Sequence, residues 1–244
     1  MAERSRRASR PSGDDRQEAI LVTTEALLQS RDFDSLSIDE LAKGAGISRP
    51  TFYFYFASKE AVLLALLDRV IRQVEARVAA LSREFDADTA SAWRRSIAAF
   101  VEVFSEHRAV ATAAMAVRSR NAEVHDLWSR SMLSWVDYTA EVIEAERARG
   151  AAPQGIHARD LAAALNLMNE RVLLAAATGE HPAGTGGAEL DVLVDVWVRS
   201  IYGVIPTSHW QGAPPCNPSR TSLLSAPECS DRRSRTRPPS TDSS

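Results

Sequence analysis

The sequence predicts an all-α protein, and three observations carry that reading. Apolar residues recur at helical spacing through every long segment, as in Trp128, Met132, Trp135 and Thr139 at i, i+4, i+7 and i+11. Helix-starting residues such as Ser37, Ser48 and Ser58 stand just ahead of those segments. Gly and Pro fall mainly between them, as at Gly150 and Pro153. About nine helices result.

Residues 1–13 (MAERSRRASRPSG) are polar and basic and are expected to form a disordered arm. Such an arm suits either a minor-groove or phosphate contact or simple solubility. The first helix is placed at 14–31. Asp14 and Asp15 favour its positive end, and Ile20, Leu21, Thr24, Leu27 and Leu28 form its stripe.

The centre of the chain is Ser37 to Lys59, SIDELAKGAGISRPTFYFYFASK. Ser37 caps a short helix, and Glu40 three residues later completes a capping box. Gly44 and Gly46 bracket its end. Ser48 caps the next helix, with Arg49 and Pro50 in its first turn, where Pro is tolerated. Five aromatics follow in a row, Phe52 to Phe56. One face cannot bury them all. Phe52 and Phe56 pair inward at i, i+4, which leaves Tyr53 and Tyr55 pointing outward beside Arg49 and Thr51. Arg, Thr and Tyr on a short helix after a tight turn can bond phosphates, base edges and thymine methyls. A plain αα-hairpin would have no need of that exposed row.

Ser58 caps a fourth helix running to about Arg83, with Ala61, Leu64, Ala65, Leu67 and Ile71 on its buried side. Lys59 lies in its first turn, where a cation opposes the helix dipole. A nearby phosphate would reverse that sign, so Lys59 is assigned to the DNA backbone. Residues 84–90 form a linker. A fifth helix spans about 91–106, with Trp93, Ile97, Phe100, Val101 and Phe104 on one face. A short Ala-rich helix covers 108–119 and a long one 122–149. An eighth helix spans 158–178 and carries Asn166 and Asn169 in an apolar setting. A Gly/Pro loop spans 179–187. The ninth helix spans about 188–202, with Leu190, Leu193, Val194, Trp197 and Ile201 as its apolar set. The Pro/Ser/Arg-rich residues 206–244 are expected to be disordered.

Composition bounds the function. Apolar residues make up 45%, enough for a sizeable core. The net charge is −3, so any nucleic-acid binding must come from local charge. The two lysines, Lys43 and Lys59, both lie in the central stretch. The two cysteines, Cys216 and Cys229, form no metal pattern and fit a reducing cytoplasm. The five histidines are scattered, and no nucleophile motif or phosphate loop is present, which argues against an enzyme. No cofactor is implied. No signal peptide and no membrane-length apolar run is read, so a soluble cytoplasmic protein is expected.

The stretch IDELAKGAGISRPTFYFYFASKEAVLL resembles the helix-turn-helix of the TetR family of bacterial repressors. The likeness extends from Arg10 to about Gly203 and is specific to the ethionamide-response branch of that family. The resemblance implies a three-helix DNA-binding unit over residues 14–60, and a larger helical domain for ligand and dimer over 61–205. It places DNA contacts on Arg49, Thr51, Tyr53, Tyr55 and Lys59. Pro50 matches the family position that starts the recognition helix. Lys43 and Ser48 complete the candidate set.

Trp93, Phe100, Phe104, Trp128, Met132, Trp135, Tyr138, Asn166, Asn169 and Trp197 suit a small-molecule site, an aromatic wall with a few amides. They suit an ordinary packed core equally, and composition does not separate the two. The resemblance favours a long apolar channel for elongated hydrophobic ligands. Ile97 and Thr139 belong to the same lining, and Leu174 stands where the branch carries Phe. Helices eight and nine are apolar on more than one side. They are covered either within the chain or, as the family implies, in a four-helix homodimer interface. The implied function is a ligand-responsive repressor that binds a pseudo-palindromic DNA operator and is released by its effector. A binding protein without DNA affinity is the alternative.

Overall fold

The computed structural model describes residues 12–81, 89–179 and 188–203. Most of the basic arm and of the linker, the Gly/Pro loop after Gly179, and the C-terminal tail lie outside the described residues. Among the described residues every regular element is helical.

Helix α1 is Gly13–Leu28. It starts inside the expected arm, because Ser12 and Asp15 close a capping box. The Ser12 amide donates to Asp15 at 2.7 Å, and the Asp15 amide to Ser12 Oγ at 3.1 Å. It ends at Leu28, earlier than expected, and a 3-10 turn follows at Phe33–Ser35. That turn buries Phe33 under the head. Helix α2 is Ile38–Gly44 and helix α3 is Arg49–Tyr55. The Ser37 box forms as read, with the Glu40 amide donating to Ser37 Oγ at 3.3 Å. Gly44 is required by close approach, since a Cβ there would sit 2.4 Å from Thr23 Cγ2 on α1. Gly46, at φ 69°, makes the turn into α3.

Helix α4 is Lys59–Leu81, and Ser58 Oγ accepts from the Ala61 amide at 3.1 Å. Its buried face is Val62, Leu63, Leu66, Leu67, Val70, Ile71 and Val74. Ala61, Leu64 and Ala65 are only half-buried at its edge. The face is wider than, and rotated from, the expected stripe because α4 packs against α1, α5, α6 and α7 together. The remaining elements are α5 (Thr89–Glu106), α6 (Arg108–Arg118), α7 (Ala122–Ala148), α8 (Ala158–Thr178) and α9 (Glu189–Tyr202). Gly150 at φ 77° follows α7, and Gly179 at φ 70° ends α8.

The apolar residues form two cores. The first joins α1–α4 and α6 to Phe104 of α5 and to Trp128 and Trp135 of α7. The second joins Trp93 and Ile97 of α5 and the later part of α7 to α8 and α9. The recognition helix and the helix pair α8–α9 therefore belong to different cores.

Candidate DNA-binding face and ligand cavity

Helix α3 is two turns long and is held by its first residue and its buried ring. Ser48 Oγ accepts from the Thr51 amide at 3.3 Å and lies 2.8 Å from the Thr51 hydroxyl. Phe52 is fully buried, and Phe56 packs beside it with ring centroids 6.2 Å apart. Those two anchors present the rest of the helix outward. Arg49 is exposed. Its guanidinium donates to Asp39 at 2.7 Å and to the Tyr53 hydroxyl at 3.3 Å, and stacks on the Tyr53 ring at 5.8 Å. The Tyr53 hydroxyl, then Asp39, raises its pKa further above the ordinary arginine value. Ser48, Pro50 and Tyr53 are exposed alongside it, and Lys43 is exposed in the last turn of α2.

Two sequence expectations for this face change. Tyr55 does not point outward; it is half-buried and packs on the first core. Phe54 takes the outward place and is 83% exposed. The reason is angular. At 100° per residue Tyr55 stands 60° from the buried Phe52, whereas Phe54 stands on the far side. That wheel position is the signal that finds Phe54. The second change is Lys59. Its ammonium donates to the carbonyls of Phe33 at 3.0 Å, Asp34 at 3.1 Å and Leu36 at 3.0 Å, and lies 4.8 Å from the Phe33 ring centroid. An ammonium has three donors. All three are used on the 3-10 turn and the residue after it, so Lys59 is a strut of the head.

Two adjoining cavities lie where the two cores meet. The larger, about 480 Å³, is walled by Phe100, Phe104, Trp128, Met132, Trp135 and Leu174, with Ala111 and Met115 of α6. The smaller, about 360 Å³, is walled by Trp93, Ile97, Tyr138, Thr139 and Trp197. Phe100, Trp135, Asn166 and Asn169 line both. Every residue proposed from the sequence for the ligand site thus borders one cavity or the other. The wall is an edge-to-face aromatic stack, with Phe100–Trp135 at 5.0 Å, Trp128–Trp135 at 5.8 Å and Phe104–Trp128 at 5.9 Å. Burial raises the Tyr138 phenol above its ordinary pKa, keeping it neutral.

The polar groups are few and fixed. The Asn166 amide donates to Thr139 Oγ1 at 3.1 Å and to the Ala162 carbonyl at 2.9 Å. Asn169 Oδ1 accepts from Trp197 Nε1 at 3.0 Å. One end of each amide is therefore met by protein. Glu170, not anticipated from the sequence, also borders the larger cavity. Its Oε1 accepts from Arg118 at 2.6 Å and from Trp128 Nε1 at 3.1 Å. A carboxylate inside the apolar run LAAALNLMNERVLL was its only sequence signal. Among the described residues no group of three His, Cys, Asp or Glu side chains is arranged to hold a metal ion.

Comparison with known proteins agrees with both halves of this arrangement. Residues 20–66 match the family model of bacterial regulatory proteins of the TetR family, and residues 93–203 match that of the C-terminal domain of the transcriptional regulator EthR. The chain is 55% identical over 201 residues to the HTH-type transcriptional regulator EthR of Mycobacterium tuberculosis, covering 82% of this chain and 93% of that protein. It is 47% identical over 203 residues to the EthR of Mycolicibacterium smegmatis, covering 83% and 94%. Among solved structures, a TetR-family regulator from Agrobacterium tumefaciens superposes with a TM-score of 0.61 at 17% identity, over 78% of this chain and 100% of that one. A transcriptional regulator from Rhodococcus gives 0.63 at 17% identity, over 78% and 99%, and so shares the fold. With α3 presented on a capped helix-turn-helix and more than half its length matched at this identity, the chain belongs to the TetR family of bacterial transcriptional regulators, in its EthR-like branch, and is a DNA-binding regulator and not an enzyme.

Proposed function

We propose that this regulator is a repressor that binds a pseudo-palindromic operator as a homodimer and leaves it when an elongated hydrophobic small molecule fills the two cavities. The observation that carries this reading is the position of the cavities. They lie at the seam between the core that holds α3 and the core that holds α8 and α9. A ligand there would bear on the spacing of the two recognition helices. Volumes of this size and apolar character suit a drug-sized ligand. The shared wall of Phe100, Trp135 and two amides favours a molecule with a polar group near its middle. Leu174, smaller than Phe, leaves that end of the larger cavity wider.

On the DNA side, Arg49 and Tyr53 are the leading candidates for base and phosphate contacts, with Ser48, Pro50, Thr51 and Lys43 around them. Phe54 adds an apolar surface suited to a thymine methyl. Dimerisation through α8 and α9 is supported by Leu167 and Val192, which are 53% and 59% exposed on those helices. A two-fold dimer matches the two half-sites that a helix-turn-helix protein reads. Nothing among the described residues forms a helix long and apolar enough to cross a membrane.

The test is footprinting at fixed salt on the promoter region beside the protein's own gene, with wild type, Tyr53→Ala and Phe54→Ala. A protected pseudo-palindrome is expected. Tyr53→Ala should abolish it, and Phe54→Ala should weaken it most at A·T positions. Binding no better than to random DNA would instead point to a ligand-binding protein without an operator.

A further inference from the structure

The larger cavity is mostly apolar, and its wall carries a charge where an apolar ligand would have no use for one. Glu170 borders it from α8, one residue after Asn169. Its side chain is only 15% exposed. Oε1 accepts from the Arg118 guanidinium at 2.6 Å and from Trp128 Nε1 at 3.1 Å. Among the described residues no group donates to Oε2, and that oxygen is not one of the sealed, unpartnered atoms of the interior. A carboxylate only accepts, so whatever meets Oε2 must donate. Arg118 balances the charge from behind. It stacks on Trp128 at 5.9 Å and does not itself border the cavity.

We propose that the larger cavity selects a cationic amphiphile, an aliphatic amine whose ammonium lies against Glu170 and whose chain fills the apolar remainder, and that Glu170 sets this preference. The proposal rests on the effector reading above and narrows it to a chemical class. The charge around the two cavities agrees with it. Among the described residues, the other charged side chains on the larger wall are Glu189 and Arg108, and the smaller cavity adds Glu75. Three carboxylates thus stand against one guanidinium. That guanidinium belongs to an exposed residue and already donates to the Ala177 carbonyl. A ligand carboxylate would meet it only at the wet rim, whereas a ligand ammonium meets Glu170 inside. The rings add to this. Phe100, Phe104, Trp128 and Trp135 border the same space, and aromatic faces attract cations most where water is excluded. An ammonium therefore serves both features: its N–H groups donate to Oε2, and its charge sits among the rings. Asn169, which precedes Glu170, borders both cavities, so the ammonium takes the polar position in mid-channel. From Glu170 to Ala177 the α8 wall runs about 10 Å, which suits a chain of medium length.

Calorimetry on the whole chain tests this with decylamine, decanol and decanoate, one chain length with three head groups. At neutral pH the amine is cationic and the acid anionic. Decylamine should bind about tenfold tighter than decanol, the order expected of a charge-assisted bond in a shielded site, and decanoate should bind weakest. Glu170→Gln keeps an acceptor for Arg118 and Trp128 and removes the charge. In it the preference for the amine should fall below about threefold while decanol binds as before. Leu174→Trp, or the milder Leu174→Phe if the Trp variant fails to fold, narrows the cavity and should weaken all three probes. Amine binding that survives the filled cavity unchanged would place the amine on the outer surface and overturn the proposal. Equal affinities for amine and alcohol in wild type, or a preference for decanoate, would overturn it with no variant needed, and would leave a neutral effector standing. Binding by none of the three would remove the proposal and the effector reading together. Decylamine bound with the stated preference, yet without loss of the footprint, would uphold the site and remove ligand release from the repressor reading.

Discussion

Three backbone carbonyls converge on one ammonium at Lys59, and this contact fixes how the 3-10 turn sits against the start of α4. Lys59→Ala should therefore act on stability first. Hydrogen bonds to a charged group are worth about 2 kcal/mol each in favourable cases. We expect a loss of about that size for the set, since the site is half-open to water and can rehydrate. Urea unfolding reads it directly. The salt dependence of DNA binding should keep its slope in Lys59→Ala, because no phosphate contact is removed. A slope reduced by about one unit would return Lys59 to the DNA. The sequence assigned this lysine to phosphate because local spacing exposes only the helix dipole. Its partners stand 23 to 26 residues away, in a turn that periodicity does not reveal. Tyr55 was misplaced, and Phe54 left unassigned, for another reason. Five consecutive aromatics give no contrast between polar and apolar positions, so only the wheel angle separates Phe54 from Tyr55. The residues that border the cavities were named from large aromatics and amides on four helices together with the family resemblance, because composition alone does not separate such a lining from a packed core. Glu170 was not, since its partner Arg118 lies on another helix.

At the scale of elements, α2 and α3 are seven residues each and too short to persist on propensity alone. Their caps supply what length cannot. Ser37→Ala should cost about 1 kcal/mol, the usual value of an N-cap. The same cap makes the head sensitive to acid. Arg31, then the Ser37 hydroxyl and amide, hold the Glu40 carboxyl down at about 2, below its ordinary 4.5. A depressed folded-state pKa stabilises above the unfolded value and is lost as pH falls through the folded one. The Glu40 contribution is thus full above about pH 4.5 and fades toward pH 2. Other carboxylates (Asp15, Glu18, Asp34) are depressed as well, so the measurement is a difference. Wild type should exceed Glu40→Gln in urea midpoint at pH 6, and the gap should narrow by pH 3. The Ser37 capping box and the bounds of α8 could be read from the sequence because cap and stop residues act within one turn. The start of α1 could not, because Ser12 sits among arginines that mark disorder. The rotation of the buried face of α4 was hidden too. It depends on four partner helices that no local pattern names.

For the molecule as a whole, the proposed dimer rests on Leu167 of α8 and Val192 of α9, both exposed. Leu167→Glu and Val192→Glu each place a charge where a second copy would seat. Sedimentation at micromolar concentration should show a dimer for wild type and monomer for the double substitution. The footprint should vanish with the dimer, because one head holds only half the site. A monomeric wild type would remove the two-fold operator from the reading. The seam between the two cores also explains why the protein can hold a large cavity and remain folded. Each core is continuous by itself, and the empty space lies between them, not within either.

Alanine dominates the cavity-facing helix: the run Ala109–Val117 reads AVATAAMAV, with one methionine to fill what the methyls leave. Ala111 and Met115 of this run border the larger cavity, and a single codon change at Ala111 would thicken that wall while the recognition helix stays untouched. Descendants of such a gene could exchange one chemical cue for another in small steps and still answer to the same promoter.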